Sequence, residues 1–175
     1  WLDVMERYVE HIRQTFGTGP GQRRGYCGHQ EIEIALIKLY RLTGERKHLD
    51  LATYFINERG RQPHYFDIER EEREKKGWEW QRYTQGTYEY SQSHKPVREQ
   101  DKVVGHAVRA MYMYTAMADL AAELNDAGLK QACETLWNDV METKMYVTAG
   151  LGPSAHNEGF THDYDLPNQT AYAET

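Results

Sequence analysis

The chain has 175 residues, 21 basic and 27 acidic side chains and a net charge of −6. A hydrophobic share of 39% with 27% charged residues excludes a disordered tail. The acidic balance (pI 5.8) lacks the cationic footprint of a nucleic-acid or anionic-membrane binder, so neither partner is expected. No apolar run approaches the ~20 residues of a membrane span. The length suits one domain or part of one, and a start at Trp1 rather than Met reads as a piece of a longer polypeptide.

Leu2, Met5, Tyr8, Val9, Ile12 and Phe16 recur at steps of three and four and predict an amphipathic helix, stopped by the glycine-rich stretch 17–21. From Ile32 to Thr43 the sequence is apolar at eight of twelve positions and on all sides, which predicts a buried helix ended by Gly44. A single-striped helix follows over Lys47–Arg59 (Leu49, Ala52, Phe55, Ile56) and closes at Gly60. The pair then recurs. Ala107–Ala122 is again apolar nearly all round, Asn125-Asp126 makes a turn, and Leu129, Cys133, Leu136, Trp137 and Val140 stripe a covering helix.

Both buried helices open with Gly-His, Gly28-His29 and Gly105-His106, 77 positions apart. Repeated pairs of a buried and a covering helix build stacked α-hairpins, either an open solenoid or a closed (α/α)-barrel. The fold class is all-α; Met145–Thr148 is the one candidate for a short strand.

The connection from about 61 to 102 spans 42 residues, far beyond the ~2–8 of ordinary helix–helix loops, and reads as an insertion. Asp67–Lys76, charged at nine of ten positions, predicts a solvated helix; Trp78, Trp80, Tyr83, Tyr88 and Tyr90 then alternate with polar residues. The last residues, Thr170–Thr175, read as the start of another helix.

Among the polar residues, His29 and His106 share one context, the start of a buried helix, where the helix dipole favours neutral imidazole. Such a ring donates from one nitrogen and accepts at the other, which suits a sugar hydroxyl or a nearby backbone group alike. Glu158, in an Asn-Glu-Gly-Phe loop, is a candidate general acid, although most loop glutamates are not. His156, Glu158, His162 and Asp163 match no metal-ligand spacing. Cys27 and Cys133 form no CxxC and read as small buried hydrophobes. Arg98 and Glu99 pair with each other or grip a ligand.

Taken in order, Gly25–Glu33, Leu39–Gly44, Pro96–Gln100, Gly105–Arg109, Lys144–Thr148, Asn157–Phe160, Tyr164–Asn168 and Ala173–Thr175 resemble glycoside hydrolase family 127, the β-L-arabinofuranosidases. The resemblance covers nearly the whole chain. It implies an incomplete (α/α)6 barrel of inner and outer hairpins, with residues 1–175 a fragment of one catalytic domain. It further implies a retaining hydrolase that releases non-reducing-end β-L-arabinofuranose through a zinc-bound cysteine nucleophile. By motif position Glu158 resembles the acid/base, Glu174 the zinc-binding glutamate, and His29 and His106 sugar-contacting histidines. The nucleophile and cysteine ligands would lie in sequence after Thr175, so the chain alone is expected to be inert and to hold zinc weakly or not at all.

An arabinofuranose-containing carbohydrate is the expected partner, self-association is possible along unclosed edges, and a zinc–thiolate site points to the cytoplasm. Two other classes remain open on these residues: a metal-free (α/α)-barrel epimerase or lyase-like enzyme, and a non-enzymatic helical scaffold.

Overall fold

The structure, a computed structural model, describes residues 1–78 and 87–172. Six α-helices occur among them and no strand of a sheet. Helix α1 (Leu2–Thr15) carries Asp3 in its first turn and Arg13 in its last, matching the helix dipole. Helices α2 (Ile32–Thr43) and α3 (Arg46–Glu58) form the first hairpin. Gly44 ends α2 at φ +74°, its N–H donating to the Tyr40 carbonyl, as the apolar run and its glycine predict.

Helix α4 (Tyr65–Glu74) is the charged helix, but its first two residues, Tyr65 and Phe66, are buried and anchor it beside Tyr26 and Phe16. Helices α5 (Ala107–Leu124) and α6 (Ala127–Asp139) form the second hairpin. Asn125 turns the chain at φ +51°, and the Asp126 carboxylate caps α6 by accepting from the Leu129 N–H at 2.9 Å. A π-helical turn, Val140–Lys144, continues α6.

Helix α2 packs on α5, and each packs on its own covering helix, α3 or α6. The shared core holds Leu36, Ile37, Phe55, Ile56, Met113, Met117, Leu120 and Leu136. The result is an arc of an (α/α)6 barrel, with α2 and α5 in the inner layer.

Three expectations change. Helix α2 is not buried on all sides: Leu42 is 73% exposed, and an open apolar groove runs between α1 and α2 past Met5, Tyr8, Ile12 and Leu39. A matching groove of about 580 Å³ lies on the far side of α5 and α6, along Met111, Tyr114, Cys133 and Trp137. These are the two ends of the arc, where all-round apolarity finds no neighbouring hairpin. Residues 145–148 form a turn instead of a strand, closed by the Ala149 N–H donating to the Tyr146 carbonyl at 2.8 Å. Residues 170–172 are not helical, and 173–175 lie outside the described residues.

A buried polar spine, not a hydrophobic layer, ties the long connection to the hairpins. Gln30 donates to the Ser91 carbonyl at 2.8 Å and to the Gln92 side chain at 2.7 Å. Gln92 in turn donates to the Val104 and His106 carbonyls, and Gln100 to the Gln92 and Lys95 carbonyls. Arg59, 0% exposed, donates to the Ser91 and Cys27 carbonyls and lies 4.5 Å from the Tyr26 ring centre. The amide nitrogens of Gln30, Gln92 and Gln100 and two nitrogens of Arg59 find acceptors, while Arg59 Nε has none. This spine brings the 89–91 turn against the N-terminus of α5.

Candidate active site

Four segments converge: the turn before α2, the turn at Glu89–Ser91, the first turn of α5, and the loop 154–160. His106 is the N-cap of α5; its Nδ1 accepts from the Arg109 N–H at 3.5 Å. His29 lies three residues ahead of α2, whose N-cap is Glu31. The two histidines are therefore not structurally equivalent, although they meet: their ring centres are 6.3 Å apart, and His29 also packs on Tyr112 at 5.7 Å. His29 Nδ1 lies 3.0 Å from the Gln30 carbonyl, so that nitrogen is the donor and Nε2 is left as the acceptor.

Glu158 reaches this pair from a strained loop. Asn157 and Glu158 both have positive φ, +63° and +48°, which non-glycine residues adopt only where surroundings enforce it. The enforcement is visible: Gly159 pairs with both Ser154 and His106, and the Phe160 N–H donates to the Gly105 carbonyl at 2.9 Å. Lys144, itself buried, donates to the Thr161 carbonyl at 2.6 Å and to Asp163 at 2.9 Å. Lys102 bridges Asp139 and Asp163, both at 2.8 Å. The two lysines hold the Asp163 carboxyl down to about 2. So clamped, the loop sets Glu158 Oε2 3.0 Å from His106 Nε2, with the Tyr172 hydroxyl 3.4 Å from the other oxygen.

Burial first, and then the Arg109 charge, push the His106 imidazole below its ordinary value, against the pull of Glu158. Arg109 lies with its guanidinium 4.8 Å from the Tyr90 ring centre and donates to the Gly28 carbonyl, bridging α5 to the turn that carries His29. Beside these residues opens a cleft of about 650 Å³, floored by Tyr26, Phe66 and Tyr90 and edged by His29, Arg109 and Glu69. Aromatic faces with a few fixed polar groups are the make-up of a small-ligand site.

Periodicity did not single out Arg109 or Tyr90. One signal existed: a cation in the first turn of an otherwise apolar helix opposes the helix dipole, and such local misfits mark functional positions. Other expectations resolve here. Arg98 pairs with Asp126 on the outer surface. Cys27 is half-buried instead of a packed hydrophobe; its thiol faces Glu33 at 3.7 Å and Arg59 at 3.6 Å, and burial with the nearby carboxylate pushes it up to about 12. Cys133, half-buried in the α5/α6 groove, is pushed up to about 11 by burial.

Burial keeps both thiols protonated, the less nucleophilic form. Among the described residues no three His, Cys, Asp or Glu side chains gather around a metal-sized space, and Glu174 lies outside the described residues. The described residues do not by themselves gather into a zinc site.

Fold and site together define the class: an all-α hairpin array that presents an imidazole and a carboxylate at the N-terminal end of an inner helix, near an aromatic-lined cleft. Residues 1–175 match the family described as Beta-L-arabinofuranosidase, GH127 catalytic domain, and the chain belongs to that family. It is 37% identical over 178 residues to the non-reducing end beta-L-arabinofuranosidase of Bifidobacterium longum subsp. longum, covering 99% of this chain and 26% of that protein. Among solved structures it is similar to a GH127 beta-L-arabinofuranosidase from Geobacillus stearothermophilus T6, with a TM-score of 0.91 and 56% identity over 98% of this chain and 27% of that one. A second, a GH127 beta-arabinofuranosidase, gives a TM-score of 0.81 and 40% identity over 98% of this chain and 24% of that one. The chain thus spans about a quarter of the length of these relatives.

Proposed function

We propose that this chain supplies the proton-transfer side of a glycoside hydrolase site that releases non-reducing-end β-L-arabinofuranose. The observation that carries the reading is the Glu158 carboxylate, 3.0 Å from the His106 imidazole beside the cleft, in a chain of the GH127 family. In this reading Glu158 protonates the leaving oxygen and then takes a proton from the attacking water, the work of one carboxyl group in a retaining hydrolase. His29 accepts a sugar hydroxyl at Nε2, while the His106 Nε2–H is engaged with Glu158. Tyr90 and Phe66 meet the apolar face of the ring.

The nucleophile is assigned to sequence other than the described residues, since both cysteines here are held as thiols. The same holds for zinc and its ligands, so no step is routed through the metal.

The test is Glu158→Gln in the full-length protein. Loss of a general acid/base costs on the order of 10²–10⁴ in rate. The loss should be steeper for alkyl β-L-arabinofuranosides than for nitrophenyl ones, whose leaving group departs without a proton, and sugar affinity should stay within a few-fold. An equal loss on both substrates, or none, would overturn the assignment; a scaffold would have no rate to lose.

A further inference from the structure

We infer that His106 is a positioning residue, whose doubly committed imidazole fixes the direction of the Glu158 carboxylate. The geometry fixes its proton. Nδ1 accepts the Arg109 N–H in an N-cap contact, so it carries no hydrogen and the neutral ring holds its proton on Nε2. That Nε2–H faces Glu158 Oε2 at 3.0 Å. His29, with Nδ1 against a carbonyl, has the opposite tautomer.

The imidazole is the rigid member of the pair. It is 7% exposed, with the Tyr90 ring edge-on at 5.6 Å and His29 at 6.3 Å. Its backbone is held as well: the N–H donates to the Tyr90 carbonyl at 3.2 Å, and the carbonyl accepts from Gln92 at 3.1 Å. Glu158 is the adjustable member, with a side chain 45% exposed on a loop of positive φ. A carboxylate so placed takes its direction from the donor that meets it.

The charged and titratable groups facing the ring are Arg109 from α5, His29 from the turn before α2, Tyr90 from the 89–91 turn, and Glu158 from the 154–160 loop. Burial and Arg109 disfavour imidazolium and Glu158 favours it, with the net result that the ring stays neutral. A neutral ring with both nitrogens in use is a fixed donor, not a proton relay. The inference rests on the hydrolase reading only in calling Glu158 the proton carrier.

Three measurements on the 175-residue chain test it, and none involves substrate. Long-range ¹H–¹⁵N correlation spectra at pH 7.5 should show His106 as the Nε2–H tautomer and His29 as the Nδ1–H tautomer. In Glu158→Gln the His106 titration should move to lower pH, because the favouring charge is gone. An Nδ1–H His106, or a titration that Glu158→Gln leaves in place, would overturn the inference. His106→Asn keeps an N-cap acceptor, and hence α5, but removes the donor to Glu158. The Glu158 side-chain couplings should then average over rotamers; a single retained rotamer would equally refute the positioning role. Rate assays that disproved the hydrolase reading would leave these spectra unchanged.

Discussion

Gly105→Ala should be among the most damaging single-methyl additions in the chain, and Gly44→Ala supplies its control. Both glycines sit at φ +74°, a conformation that costs an L-residue roughly 1–2 kcal/mol. They differ in space. A β-carbon at Gly44 meets nothing within 4 Å, whereas one at Gly105 overlaps the Glu89 carbonyl oxygen and lies 2.6 Å from its carbon and 2.8 Å from Tyr90 Cα. These are backbone atoms of the 89–91 turn, so no side chain can rotate away and the turn must retreat.

That retreat strains the His106-to-Tyr90 backbone bond and the Gln92 bonds to the Val104 and His106 carbonyls. Each is worth about 1 kcal/mol net. The expected loss is therefore about 3–5 kcal/mol for Gly105→Ala against about 1 kcal/mol for Gly44→Ala, a large part of a typical 5–15 kcal/mol stability. Urea unfolding followed by circular dichroism reads it as a lowered midpoint at unchanged slope. Equal losses in the two variants would refute the close approach, and with it the packing that presents His106.

Burial pushes the imidazoles of His64 and His94 below their ordinary value. The unfolded chain therefore binds protons first, and stability should fall as pH drops from 7.5 to 5.5; urea midpoints at the two pH values check the sign. Lys144→Met removes two charge-assisted hydrogen bonds from the 161–163 segment. It should cost about 2 kcal/mol and raise amide exchange across residues 150–165, while α2 and α3 stay protected; unchanged exchange there would remove the clamp from the account. Because Cys27 and Cys133 are held as thiols at about 12 and about 11, both should react with Ellman's reagent more slowly at pH 7.5 than a free thiol does. Trp137, 61% exposed, and Leu42 lie on the two open grooves of the arc. Light scattering of the chain should show association that rises with concentration and is reduced by Trp137→Ser or Leu42→Ser.

The helices were legible because their information is local. A period near 3.6 marks α1, α3 and α6, a nearly unbroken apolar run marks α2 and α5, and Gly44 and Asn125 end their helices in the left-handed conformation that such residues signal. The misreadings have one physical origin, the dependence of a polar or apolar residue on partners far along the chain. Leu42 belongs to an apolar helix yet faces outward, on the open groove between α1 and α2. Arg59 and Glu33 sit fully buried, which no composition rule anticipates. His29 and His106 share a dipeptide but not a role, because only the second lies one residue ahead of its helix and so becomes a cap.

The same dependence explains why Glu158 was nameable by resemblance but not by periodicity. Its position is set by backbone, through pairing of Gly159 with His106, donation from Phe160 to Gly105, and two lysines converging on Asp163. None of these contacts has a period. What they share is a target: each draws the 154–165 loop toward the N-terminus of α5, the end at which His106 presents its Nε2–H. A carboxylate delivered by a strained loop to a donor fixed by a helix cap needs neither a conserved helix face nor a rigid segment of its own. The clamp supplies rigidity from outside, so the backbone of Glu158 stays in place while its carboxylate meets the His106 Nε2–H.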